Sequence, residues 1–151
     1  MRSDGTVVAA GEDYDDACNV RSWKNIVAVS AGLSHTVGLK SDGTVVAVGG
    51  TDIKAFDDGQ CNVSDWKDII AVSAGAGYTM GLRSDGTVVA VGNNQDGRSD
   101  VNDWEDIVEI SAGMYNTVGL RADGTVVAVG LSKYGVCDVG EWKNIRLPWE
   151  E

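Results

Sequence analysis

Apolar residues in this chain come in short runs, and each run is closed by glycine or by a Ser-Asp-Gly step. Residues 25–66 show the pattern in full. Ile26-Val27-Ala28-Val29-Ser30 is an apolar run stopped by Ala31-Gly32; Thr36-Val37-Gly38-Leu39-Lys40 follows, and Ser41-Asp42-Gly43 leads into Thr44-Val45-Val46-Ala47-Val48. Runs this short, rich in Val, Ile and Thr, read as strands, and apolar residues at helical spacing are absent. Asp-Gly between two such runs predicts a tight hairpin, because both residues tolerate φ > 0. The Val-rich third strand alternates little, as a strand covered on both faces does. The first strand is built from small residues, Ala28, Ser30, Ala31 and Gly32, then Ala71, Ser73, Ala74 and Gly75. Such residues suit sheets that converge on a crowded axis.

The same signature returns at 69–92 and 107–130, so the chain is one unit written several times. Ser-Asp-Gly-Thr-Val-Val-Ala stands at 3–9, 41–47 and 84–90, with Ala replacing Ser at 122–128. The repeated Asp4, Asp42, Asp85 and Asp123 step by 38, 43 and 38, and Trp23, Trp66, Trp104 and Trp142 step by 43, 38 and 38. The period is therefore 38, with a five-residue insertion between Asp42 and Trp66. In a repeat of this kind each unit buries its apolar face only against its neighbours. We expect an all-β repeat domain over 1–151: a partial unit at 1–25, full units at 26–68, 69–106 and 107–144, and a partial strand at 145–151.

The string Ser-Ala-Gly-x-x-His-Thr-Val-Gly-Leu-Lys-Ser-Asp-Gly-Thr-Val-Val-Ala-Val-Gly at 30–49, followed by Gly59-Gln60-Cys61-Asn62-Val63, resembles the regulator of chromosome condensation repeat family. The short period is similar to bacterial members, including the propeller-type β-lactamase inhibitor proteins. The resemblance implies a β-propeller, and family members close a ring of about seven blades. Three full repeats fall short of that number. Three blades in an open arc expose sheet faces and strand edges, and two-fold association is the commonest remedy. Either the chain is a fragment of a longer propeller or copies of it complete one another; the expectation is a homodimer in which a second chain completes the ring, giving six full blades and two junction blades.

The recurring tryptophans read as packing anchors between blades. Cys18, Cys61 and Cys137 share one repeat position, where the third copy has Ser99. Equivalent positions on different blades lie too far apart to bridge, and no Cys-x-x-Cys pair is present, so they read as buried small side chains rather than disulfide or zinc ligands. An unpaired set of thiols points to a reducing compartment. His35, the single histidine, is matched by Tyr78 and Asn116; no nucleophile or orienting carboxylate accompanies it, so it is expected to satisfy backbone groups of its own loop. We expect no enzyme activity and no cofactor.

Two loop classes differ between copies, and variable loops on a rigid scaffold are where binding sits. The loop after the third strand carries Tyr14, Phe56 and Tyr134, and the loop between the first two strands carries Tyr78, Met114 and Tyr115. These six are the expected protein-binding residues. With 12 basic and 23 acidic side chains the net charge is −11, which repels phosphate backbones and anionic membranes. The acidic loops at Asp13, Asp15, Asp16, Asp57 and Asp58 match no calcium-binding spacing and read as solvated surface. No stretch approaches the ~18 consecutive apolar residues of a membrane span, and the N-terminus enters a repeat directly, without a charged and then apolar targeting segment. Three functions remain: a scaffold for protein interaction or self-assembly, a protein inhibitor of an enzyme, and a guanine-nucleotide exchange stimulator.

Overall fold

A computed structural model describes residues 1–11, 13, 16–50 and 58–149. The strands are β1 (Ile26–Ala31), β2 (His35–Lys40) and β3 (Val45–Gly49); β4 (Ile69–Ala74), β5 (Tyr78–Arg83) and β6 (Val88–Gly92); β7 (Ile107–Ala112), β8 (Asn116–Arg121) and β9 (Val126–Gly130). They form three antiparallel sheets in the orders β1-β2-β3, β4-β5-β6 and β7-β8-β9. Each sheet is one blade, and the blades pack face to face.

The hairpin between the second and third strands is present in every blade, but its turn differs from the expectation. Only Gly43 takes the left-handed backbone, with φ 77°; Asp42 does not. The Gly43 amide donates to the Lys40 carbonyl at 3.0 Å and the Lys40 amide to the Thr44 carbonyl at 2.9 Å, a three-residue loop ending in a left-handed glycine. Asp42 works through its side chain: its Oδ1 accepts the Thr44 amide at 3.0 Å and the Thr44 hydroxyl at 2.6 Å. Asp4, Asp85 and Asp123 hold Thr6, Thr87 and Thr125 in the same way. The donated hydroxyl, then the amide, keep all four carboxyls below the usual aspartate range.

Burial is heaviest on the middle strand of each blade, β2 and β5 above all, rather than on the Val-rich third strand. A middle strand has paired neighbours on both sides and a sheet on each face, whereas β3, β6 and β9 are edges. Between blades 1 and 2 the core joins Val37, Leu39 and Val45 to Val63, Trp66 and Ile69. Between blades 2 and 3 it joins Tyr78, Met80, Leu82 and Val88 to Val101, Trp104 and Ile107. A third cluster places Val7 against Val20, Trp23 and Ile26. Glycine on the middle strand makes room for each indole: a Cβ added to Gly81 would lie 2.7 Å from the Trp66 ring, and one on Gly38 equally close to Trp23. Trp23, Trp66 and Trp104 are 6–9% exposed, while Trp142 is 54% exposed.

Polar latches accompany these contacts. The Ala74 amide donates to Ser30 Oγ and the Ala112 amide to Ser73 Oγ, each reaching from one blade to the one before. His35 Nε2 lies 2.8 Å from Thr79 Oγ1 in the next blade, and Tyr78 Oη lies 2.8 Å from Thr117 Oγ1 in the one after. The expectation that His35 serves its own loop is therefore corrected. It opens β2 with its ring turned toward the neighbouring sheet, as Tyr78 opens β5. Thr79 gives its hydroxyl proton to the Gln60 carbonyl at 2.7 Å, so the imidazole donates from Nε2 and its buried Nδ1 is left without a partner. Burial pushes the His35 pKa down to about 4, which keeps the ring neutral.

Candidate functional site

Both variable loop classes lie at one end of the blades. The strand pairing sets His35 opposite Gly49, so the loop before β2 and the segment after β3 meet. Backbone bonds join them: Gly50 N to Ser34 O, Asn93 N to Gly77 O, and Leu131 N to Tyr115 O, at 2.8–2.9 Å. The hairpin turns occupy the opposite end, where the Ile69 amide donates to Gly43 O. A single face thus carries both classes of variable loop.

Blade 3 shows how this face is built. Arg98 is buried, and its guanidinium ties two loops together: Nε donates to Gln95 O at 2.8 Å, Nη1 to Met114 O at 2.8 Å, and Nη2 to Asp96 Oδ2 at 3.1 Å. Its Cζ also lies 5.3 Å from the centre of the Tyr115 ring, within cation–π range. Met114 and Tyr115 are consequently held exposed on a fixed loop. Tyr134 stands in a tight turn of the same blade, in the left-handed region at φ 66° and followed by Gly135 at φ 75°. An aromatic residue carries a steric penalty there, and the ring is left 89% exposed, with Lys133 Nζ 5.0 Å from its centre. Leu33 and Leu131 add exposed apolar surface on the same side.

The expected binding residues divide accordingly. Met114, Tyr115 and Tyr134 are on the loop face. Tyr78 is not available: it is fully buried between blades 2 and 3, its hydroxyl engaged by Thr117 and by the Asn116 carbonyl. It belongs to the core, because the first residue of a middle strand points at the next sheet. Tyr14 and Phe56 lie outside the described residues. Sequence reasoning missed Arg98, Leu33 and Leu131; an arginine in the slot held by Gln60 and Val136 was the one signal available. The three cysteines are half-buried thiols, and the Cys61 thiol points at the Gly49 carbonyl, 3.5 Å away. Among the described residues no group of three or more His, Cys, Asp or Glu side chains is placed to hold a metal ion, and no helix is long and apolar enough to cross a membrane.

The model of the regulator of chromosome condensation (RCC1) repeat matches residues 26–52 and 69–98, which take in the strands of blades 1 and 2. These two stretches are similar to the RCC1 repeat. Solved structures place such repeats in a β-propeller. The fold is similar to yeast RCC1 (Prp20), crystallised bound to Kap60, with TM-score 0.59 and 15% identity over 83% of this chain and 37% of that one. It is similar to the CRINKLY WD40 ectodomain of the Arabidopsis thaliana receptor kinase ACR4, with TM-score 0.67 and 18% identity over 95% and 49% of the two chains. The C-terminal domain of gp131 from bacteriophage phiKZ matches with TM-score 0.55 and 18% identity over 83% and 42%. At these identities the likeness is one of fold. The chain spans less than half the length of each of these structures. No curated protein matches the sequence significantly.

Proposed function

We propose that the chain is a non-enzymatic segment of β-propeller whose loop face docks a protein partner. The observation that carries this reading is the pairing of Tyr134, an exposed ring on strained left-handed backbone, with Met114 and Tyr115 fixed over a buried arginine. Rigid aromatic side chains bury much area at low entropic cost and dominate the energetics of protein interfaces. The histidine is buried in the junction between blades 1 and 2, out of reach of a substrate on the surface. A net charge of −11 favours a protein partner over a nucleic acid.

Two finer readings share this surface. One is inhibition of an enzyme by occlusion of its active site; the other is stimulation of guanine-nucleotide exchange on a small GTPase. The yeast neighbour is described with binding properties to Gsp1p and histones, and the same yeast protein bound to Kap60; both are properties of that protein. The test is calorimetric titration of this chain against a β-lactamase panel and against nucleotide-loaded GTPases, alongside the double variant Tyr115→Ala, Tyr134→Ala. Docking through the loop face requires the variant to keep its melting temperature and to bind about thirtyfold more weakly or worse, the loss of a hot-spot ring. A partner bound equally well by both proteins would remove the loop face from the reading.

A further inference from the structure

Each interface between consecutive units repeats one arrangement: a tryptophan-lined groove on one unit receives a pair of side chains, two positions apart, on the third strand of the next. Val46 and Val48 pack on the Trp23 cluster, Val89 and Val91 on the Trp66 cluster, and Val127 and Val129 on the Trp104 cluster. The chain holds a fourth groove and a fourth pair. The groove lies on the outer face of blade 3, about 230 Å³ in volume, walled by Val118, Leu120, Val126, Trp142 and Ile145. Its indole is the one left 54% exposed. The pair is Val8 and Ala10, in register with Val46 and Val48, and both are exposed, Val8 at 56%. Among the described residues three grooves and three pairs are matched, and one of each is left over at opposite ends of the blade stack.

We propose that the unmatched pair of a second copy of this chain seats in the unmatched groove, so that Val8 and Ala10 of one copy pack on Trp142 of the other. The contact continues an interface the molecule already forms three times, with the same tryptophan at the same repeat position and Ala10 where the other pairs have a second valine. It is head-to-tail, because groove and pair are different surfaces, and such contacts either close into a ring or extend into a filament. Two copies close as six three-stranded blades and two shared ones, within the four to eight blades of known propellers. In a shared blade Ile145–Trp149 of one copy takes the inner position and Thr6–Ala10 of the other takes the outer. Glu109 sits on the groove wall where blades 1 and 2 carry Ala28 and Ala71, and so opposes the contact with one carboxylate.

Sedimentation equilibrium of the intact chain at micromolar concentration tests this, with a mass twice the 15.8 kDa of one chain expected. Val8→Asp and Trp142→Asp alter exposed side chains, so each should keep a cooperative thermal transition and sediment as a monomer. Mixed in equal amounts, the two variants should form a heterodimer, since one retains the groove and the other the pair. Glu109→Ala should tighten the association about tenfold by restoring the residue type of the other two blades. A monomeric parent, variants that both remain dimeric, or a mixture that stays monomeric would each overturn the proposal.

Discussion

Acid should loosen the junction between blades 1 and 2 through a single side chain. His35 is 1% exposed, donates from Nε2 to Thr79, and has a buried Nδ1 with no hydrogen-bond partner. Its pKa falls from 6.5 to about 4 on folding, by desolvation. A histidine depressed in this way takes up its proton in the unfolded chain first, so stability is full above pH 6.5 and is lost as the pH falls toward about 4. The linkage gives about 2 kcal/mol lost between pH ~7.5 and ~5, and about 3 kcal/mol once the folded-state pKa is passed. The hairpin carboxyls have pKa values below 3.8, so their contribution is lost in a lower window.

His35→Tyr is the matched control, because Tyr78 fills this slot in blade 2 and bonds the equivalent threonine. Chemical denaturation of both proteins across this pH range should give curves that converge in acid, with the parent losing about 2 kcal/mol more than the variant. Parallel curves, or a parent that gains stability in acid, would refute the assignment of a neutral, buried imidazole.

Four further outcomes follow from the packing. Gly81→Ala places a methyl group 2.7 Å from the Trp66 ring and should cost about 1–3 kcal/mol in denaturant titration. Trp104→Ala should cost about 3–5 kcal/mol, read by differential scanning calorimetry against the parent. Gly43→Val forces a β-branched residue to φ 77° and should destabilise by about 1–2 kcal/mol in equilibrium unfolding. Tyr134→Asn relieves the left-handed strain and should raise stability by about 1 kcal/mol while weakening the docked partner, seen as a higher melting temperature with a lower affinity.

Strands and hairpins were legible because their signals are local: a Val-rich run, a Ser-Asp-Gly step and a fixed period name the blade without reference to any neighbour. The turn type was misread at Asp42 because its side chain has a better use than left-handed backbone, accepting two bonds from Thr44. The Val-rich third strand packs on both faces as its composition suggested, Val45 and Ala47 on one side and Val46 and Val48 on the other; the heavier burial of the middle strand follows from its position in the sheet, which composition does not report. Tyr78 and Tyr115 sit in adjacent slots of equivalent loops in neighbouring blades, yet one is core and the other surface. The difference is a single step along the strand, which turns a side chain from the next sheet to the solvent. Arg98 was opaque for a related reason: its partners are carbonyls and a ring contributed by two separate loops, and no local pattern announces them.

The latch between blades has a consequence for how such a chain can grow. The receiving side is invariant, with Thr79 and Thr117 in the two complete junctions and Thr36 in the same register on blade 1, while the reaching side is His35, Tyr78 or Asn116. A lock that accepts several keys lets a unit be duplicated, deleted or exchanged by recombination without a compensating change in its neighbour. The reaching residue, freed from strict matching, can drift and so tune each junction separately in its response to acid.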